Sequence, residues 1–128
     1  MWQTWLAVGL GSAAGAWLRW QVGLWLNWRL NWLPLGTLCV NWVGAYAIGV
    51  VSSWLVRHPE WSALWRLTLI TGFLGGLTTF STFSAEVMGL LLAQRWGAAL
   101  AVAALHVMGA LLLTGLGIWT THIVMLPR

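Results

Sequence analysis

Four long apolar segments, separated only by short polar connections, constrain how this chain can fold. They cover about residues 2–26, 35–56, 62–93 and 96–125, and the connections between them read NWRLNWLP, RHPEW and QRW. A helix needs ~20 mostly apolar residues to cross the hydrocarbon core of a bilayer. Each segment reaches that length, so we predict an all-α membrane protein with a single transmembrane domain, residues 1–128, and four transmembrane helices.

The composition agrees with a membrane protein and argues against other classes. Apolar residues make up 60% of the chain and charged residues only 6%, whereas a soluble domain carries about 25% charged residues. The arginines are scattered singly instead of clustering on one face, so we do not expect a nucleic-acid partner. The sequence contains no nucleophile paired with a base and no cluster of metal-ligating side chains, so we do not expect an enzyme.

The distribution of arginines predicts how the chain inserts into the membrane. With four spans, one side receives Arg57, Arg66 and Arg128, and the other side receives Arg19, Arg29 and Arg95. The positive-inside rule needs an imbalance of basic residues to select one orientation. The balance predicts insertion in both orientations and hence an antiparallel dual-topology homodimer. The alternative is that one arginine lies too deep to count, which would restore a single orientation.

The third segment is too long for one straight helix and contains a polar stretch at its centre. At 1.5 Å per residue, residues 62–93 would reach ~48 Å, beyond the ~30 Å hydrocarbon core. Within the stretch GGLTT, Gly75 and Gly76 lower helix propensity, and Thr78 and Thr79 offer the backbone competing hydrogen bonds. We predict a break here. Irregular backbone inside a membrane commonly builds an ion site, although close helix packing is the alternative.

Two aromatic residues and an amide suggest which ion such a site accepts. Phe80 and Phe83 are spaced i, i+3, so they share one helix face, and the edge of an aromatic ring carries weak positive potential. Asn41 adds an amide donor in the middle of the second span. Together these groups favour a path for a small, strongly hydrated anion. The alternatives are a phenylalanine pair that only fills the core and an asparagine that only holds helices together.

The remaining polar groups at membrane depth leave two questions open. His106, Ala110 and Thr114 form one stripe on the fourth span; the histidine either extends a polar path or is a neutral structural residue. Glu86 is costly against lipid, so we expect it near the end of a span, in water or paired with an arginine such as Arg19.

The segment GGLTTFSTFSAE resembles the signature of the Fluc-type (CrcB-like) fluoride channels. The resemblance extends to GSAAGAWLRW, PLGTLCVNWVGA and HVMGALLLTGLG, and thus to essentially the whole chain. It implies a fluoride-selective channel in the plasma (cell inner) membrane, through which fluoride leaves the cell down its electrochemical gradient, lowering cytoplasmic fluoride and its toxicity. It also implies an antiparallel homodimer with two separate pores.

The resemblance assigns roles to individual residues. It places Phe80 and Phe83 as aromatic pore-lining residues, Asn41 as a pore donor, and the following as hydroxyl donors along the path: Thr37, Ser81 and Thr82. Thr114 joins them from the fourth span, where family members often carry hydroxyls, although Ala110 interrupts the track here. Arg19 would lie near an aqueous vestibule. A structural sodium ion at the dimer centre would be held by the backbone carbonyls of Gly75 and Thr78.

Three other functions remain as alternatives. A small dual-topology multidrug exporter also has four short spans, but such a proton-coupled exporter needs a carboxylate deep in its first span, and this first span has none. A structural membrane subunit would transport nothing. A cation channel could use the carbonyls of the break, but it would lack the acidic rings that such pores carry.

Overall fold

The computed structural model describes residues 1–125, and all of its regular structure is helical. The elements are α1 (Trp2–Leu26), α2 (Leu35–Arg57), α3 (Ala63–Arg66), a π-helix (Leu67–Leu74), α4 (Gly75–Leu77), α5 (Phe80–Leu92) and α6 (Trp96–Val124). The all-α prediction is therefore confirmed. Arg128, on which the charge balance depends, lies outside the described residues.

Three helical stretches in residues 1–125 are long and apolar enough to cross a membrane: Leu35–Arg57, Ala63–Leu92 and Trp96–Val124. Helix α1, with 25 residues, has the length of a span, but its composition is less apolar. Its polar residues are Gln3, Thr4, Ser12, Arg19 and Gln21. The first predicted span therefore differs from the other three in composition and not in length.

The third stretch is broken at two threonines. Thr78 has φ −82° and ψ 157°, and Thr79 has φ −149° and ψ 119°, so both residues are extended. Helix α5 restarts with Thr79 as its N-cap, where Oγ1 accepts a hydrogen bond from the backbone N–H of Thr82 at 3.2 Å. The predicted break within GGLTT is confirmed, but Gly75 and Gly76 remain helical.

The glycines serve a different purpose, the close approach of α1. A Cβ atom on Gly76 would lie 2.9 Å from Ser12 Cα, and one on Gly15 would lie 2.7 Å from the backbone nitrogen of Leu77. Neither distance leaves room for a side chain. The segment GSAAG of α1 is therefore a packing surface, and the glycines next to the break are its counterpart on the third stretch.

The segment before the break is a π-helix, which the sequence analysis did not predict. It covers Leu67–Leu74 and packs along α1, where a Cβ atom on Gly72 would lie 3.1 Å from Val8 O. A π-helix is rare and is often found next to functional sites. Here it leads directly into α4 and the break.

Helices α2, α5 and α6 enclose the main apolar core. Helix α2 packs along α6, and α5 packs against α6 on the far side of the break. Between them lie the buried side chains of Leu33, Leu38, Phe83 and Val102. Helix α2 thus runs beside the break, and α6 lies behind α2 and α5.

Candidate functional site

Asn41 on α2 holds the backbone of the break. Its Nδ2 donates to Thr79 O at 3.0 Å, and the backbone N–H of Thr79 donates to its Oδ1 at 2.8 Å. A buried peptide group that leaves a helix needs new partners for its N–H and its C=O. The asparagine amide supplies both, because it carries a donor and an acceptor side by side.

The same amide also contacts a histidine on α6. Asn41 Nδ2 lies 3.1 Å from His106 Nδ1. The imidazole is buried, with 4% of the residue exposed, and it stacks on Phe83 with ring centroids 4.6 Å apart and planes inclined by 26°. Three spans thus meet in one contact: the amide from α2, the phenylalanine ring from α5 and the imidazole from α6.

The two phenylalanines touch each other but differ in exposure. Their ring centroids are 5.4 Å apart with planes inclined by 65°, an edge-to-face arrangement that aromatic pairs favour. Phe83 is buried, whereas Phe80 is 77% exposed in the single chain. The prediction that Phe80 and Phe83 share one helix face is confirmed, and the Phe80 ring projects away from the core.

A groove of about 520 Å³ runs along the break between these elements. It is mostly apolar. The polar side chains on its wall are those of Asn41, Thr78, Thr79, His106 and Thr114. Other wall residues that the sequence analysis named are Gly75, Phe80, Phe83 and Ala110. The groove therefore brings together six residues of the predicted site: Asn41, Phe80, Phe83 and Thr114 from the predicted anion path, and Gly75 and Thr78, whose carbonyls were assigned to a cation.

The predicted hydroxyl residues are not all at this groove. Thr114 lines it and donates to Ala45 O at 3.0 Å. Ser81 and Thr82 are exposed at the start of α5, and Thr79 Oγ1, which donates to Thr82 Oγ1 at 3.0 Å, lies 3.4 Å from Ser81 Oγ. Thr37 is one helical turn from Asn41 on α2 and is buried.

Thr37 binds the only carboxylate of the spans. Its Oγ1 donates to Glu86 Oε1 at 2.6 Å. Glu86 Oε2 is buried and has no hydrogen-bond partner among residues 1–125, and the side chain lines a second pocket of about 360 Å³ beneath the α1–α2 connection. Of the two surroundings expected for Glu86, an arginine partner is not found among residues 1–125. The carboxylate accepts a hydrogen bond from the Thr37 hydroxyl instead.

Arg19 reaches the break from α1. Its Nη1 donates to Thr78 O at 3.1 Å, and the residue is partly buried. Thr78 is extended, so its carbonyl no longer belongs to a helix and is free to accept the guanidinium. The carbonyl of Thr78 thus accepts from a side chain of α1, and the carbonyl of Thr79 accepts from a side chain of α2.

Comparison with known proteins gives the family. A family model described as "CrcB-like protein, Camphor Resistance (CrcB)" matches residues 6–118. The chain belongs to the CrcB-like family. A CrcB-like relative from Chromohalobacter salexigens is 52% identical over 94% of this chain and 91% of its own length. One from Pseudomonas aeruginosa is 52% identical over 95% and 96%, and one from Chromobacterium violaceum is 54% identical over 92% and 94%. All three bear the name Fluoride-specific ion channel FluC.

In this CrcB-like chain, sequence reasoning overlooked one residue of the site. Thr79 is buried, caps α5 and exchanges two hydrogen bonds with Asn41. Threonine is a favoured residue immediately before the first residue of a helix, where its side chain accepts from a backbone N–H of the first turn, so the cap could have been found. Its partner on α2 could not, because the pairing depends on the rotation of α2 about its axis.

Proposed function

We propose that this chain is a fluoride-selective ion channel through which fluoride leaves the cell passively, lowering its cytoplasmic concentration and toxicity. The observation that supports this most is the groove at the break, where an aromatic pair and polar groups lie together in an otherwise apolar wall. Relatives that are 52–54% identical over more than nine-tenths of this chain bear the name of a fluoride-specific channel.

The chemistry of the groove suits a small anion. An anion that enters a narrow apolar path must exchange its hydration shell for protein donors, and it moves on only if no single site holds it too firmly. Aromatic edges and neutral N–H or O–H groups attract an anion weakly. Arg19, which reaches the break through Thr78 O, is not among the described residues that line the groove, so the groove wall itself presents no fixed charge that would hold the ion firmly.

The proposal includes four membrane spans, with α1 as the first. The packing of α1 supports this: it lies along the π-helix and α4 and reaches the break through Arg19. An element that touches the middle of a span over several turns lies at the same depth as that span. The proposal also places this multi-pass protein in the plasma (cell inner) membrane.

The functional unit in this proposal is an antiparallel dual-topology homodimer with two pores. Two observations support it. The arginines are balanced between the two sides, which favours insertion in both orientations. Phe80 is 77% exposed, and on one side its groove has no wall from residues 1–125. A second copy would supply that wall.

A structural sodium ion at the dimer centre also belongs to the proposal, and the break offers suitable ligands. In a continuous helix the N–H of Thr79 would bond to Gly75 O, but here it donates to Asn41. Thr78 O accepts from Arg19 and keeps a second lone pair. Carbonyls at the end of a broken helix coordinate sodium in other membrane proteins, and two copies would contribute four such carbonyls. A bound cation would place positive charge near both pores.

A fluoride efflux assay tests the proposed function. Purified protein is reconstituted into liposomes that hold potassium fluoride, valinomycin clamps the membrane potential, and an electrode records released fluoride. We expect rapid fluoride release and no release of chloride from matched vesicles. Absence of fluoride release from well-folded protein would favour a structural subunit, and proton-coupled uptake of a drug would favour the exporter. Equal release of both anions would contradict the proposed selectivity.

A further inference from the structure

The arginines of this chain form no salt bridge with a glutamate in the part of the molecule that the structure describes. Basic side chains outnumber acidic ones, with six arginines against two glutamates. Glu60 lies 2.9 Å from His58, and Glu86 accepts a hydrogen bond from Thr37. The exposed arginines are therefore available to negative groups outside the chain.

Two of these arginines, Arg29 and Arg95, lie at the same end of the molecule, and both are exposed. Arg29 belongs to the connection between α1 and α2, where its guanidinium carbon lies 4.7 Å from the centre of the Trp28 ring. Arg95 directly precedes α6, and its Nη1 donates to Asn31 O in the same connection at 3.4 Å. This contact holds the second arginine beside the segment that carries the first.

The exposed charge at this end is positive only. Residues 20–36 and 88–100, which surround the two arginines, contain no aspartate or glutamate. Glu86 lies further inside, where it is bound to Thr37 and lines the pocket of about 360 Å³ beneath the connection. The opposite end differs, because Glu60 is exposed there. A negatively charged partner therefore meets no exposed carboxylate next to Arg29 and Arg95.

The residues around the two arginines place them at the depth of lipid phosphates. Tryptophan prefers the headgroup level of a bilayer, and three tryptophans that are 65–69% exposed lie next to the arginines: Trp25, Trp28 and Trp96. The pocket beneath the connection has an apolar wall that includes Trp28, Leu30 and Leu90. A phosphate between the arginines would thus have room for an attached glycerol group on its inner side.

We propose that Arg29 and Arg95 bind the phosphate group of an anionic phospholipid, and that its glycerol part lies against Trp28 at the mouth of the pocket. A guanidinium presents several N–H groups in one plane, an arrangement that matches phosphate oxygens. The carboxylate of Glu86 in the pocket wall repels the phosphate and so keeps it at the rim, beside the arginines.

The charge at this end also selects the class of headgroup. A headgroup with its own ammonium group would bring a further positive charge next to two arginines, whereas an anionic headgroup such as that of phosphatidylglycerol would not. The inference goes beyond the proposed channel function, because it concerns how the chain is held in the membrane. In the proposed antiparallel dimer, the two copies of the site lie in opposite leaflets.

The main alternative is that the arginines attract anionic lipid only through the net charge of the protein. Arg29→Gln and Arg95→Gln each remove one positive charge and keep a side-chain N–H donor. Arg57→Gln is the matched control. It removes an exposed arginine at the opposite end, where the guanidinium contacts His122 and Met125 O. If only net charge matters, all three substitutions have the same effect.

The experiment titrates purified protein in a neutral detergent with short-chain phosphatidylglycerol. Native mass spectrometry counts the bound lipids and gives their dissociation constant. An arginine near an anionic lipid surface contributes about a fivefold change in binding, so we expect the double variant Arg29→Gln/Arg95→Gln to bind about tenfold or more weakly. Arg57→Gln should change the dissociation constant by less than about twofold. An equal loss in Arg57→Gln and in either single variant would overturn the inference.

The unaltered protein gives a second test that does not depend on variants that fold. Phosphatidylcholine with the same acyl chains should bind about tenfold or more weakly than phosphatidylglycerol, and equal affinity would overturn the inference. Inorganic phosphate and glycerol 3-phosphate, added at the concentration of the lipid, should not displace it. Displacement would identify a soluble phosphate as the occupant and rule out the lipid. Neither measurement depends on fluoride conduction, so this inference and the proposed channel function are tested separately.

Discussion

Replacing Asn41 with leucine should destabilise the protein far more than the loss of one side-chain hydrogen bond. The two side chains have the same number of heavy atoms and the same branching, so the main change is the loss of the amide's donor and acceptor. The N–H and C=O of Thr79, which is 7% exposed, then lose the partners at 2.8 and 3.0 Å. Each unsatisfied buried group costs about 1–3 kcal/mol, so we expect the free energy of unfolding to fall by about 2–6 kcal/mol.

Thr114→Val provides the matched control. It removes a side-chain bond to Ala45 O at 3.0 Å, but that carbonyl lies inside α2 and keeps its helical hydrogen bond. Side-chain hydrogen bonds between membrane helices average about 0.6 kcal/mol, so we expect a small loss. The two variants thus differ in whether a buried backbone group is left without a partner.

The assay is reversible unfolding in mixed micelles of mild and denaturing detergent, at one protein concentration, followed by the fluorescence of the 13 tryptophans. We expect the Asn41→Leu curve to shift several times further than the Thr114→Val curve. Equal shifts would refute the argument, because they would mean that the break satisfies its backbone without Asn41. Asn41→Asp should also be unstable, since a carboxylate cannot donate to Thr79 O.

Three further predictions test other parts of the structure. Gly76→Ala should lower the free energy of unfolding by about 1–3 kcal/mol, because the added methyl group meets the backbone of α1. The control is Gly89→Ala, which has nothing within 4 Å of its Cβ position and should be neutral or slightly stabilising. Equal effects of the two substitutions would contradict the close packing of Gly76 against α1. Thr37→Val should destabilise by a similar amount, since Glu86 Oε1 loses its 2.6 Å partner, and Thr37→Ser should restore most of the stability. Adding three lysines after the last residue should force one orientation and abolish fluoride efflux when that protein is expressed alone; full activity would count against the antiparallel dimer.

The elements of the fold could be predicted because they depend on local properties of the sequence. Length and apolarity give the bounds of the helices to within a few residues, and the excess length of residues 62–93 gives the break. The prediction that the two glycines contribute to the break by leaving the helix is wrong, whereas the role given to the threonines agrees with the structure. Gly75 and Gly76 stay helical, and the extended residues are Thr78 and Thr79, whose side chains offer the backbone other hydrogen bonds.

The partners within the site could not be predicted from periodicity. Arg19 and Thr78 are 59 positions apart, Asn41 and His106 are 65 apart, and Thr37 and Glu86 are 49 apart. Successive side chains on a helix point ~100° apart. The sequence pattern gives the direction of the apolar face only to about one such step. That precision is too coarse to choose between Thr37 and Arg19 as the partner of Glu86.

The break is stable only because two other helices satisfy its backbone. Without water, each N–H or C=O group around Thr78 and Thr79 that lacked a hydrogen-bond partner would cost several kcal/mol. A guanidinium from α1 binds the carbonyl of Thr78, and an amide from α2 binds both backbone groups of Thr79. In both cases a side-chain N–H group donates to a neutral backbone carbonyl, so the break needs no ion pair. The break therefore depends on α1 and α2 as well as on the threonines of GGLTT, and substitutions at Arg19 or Asn41 can disorder the segment while its own residues are unchanged.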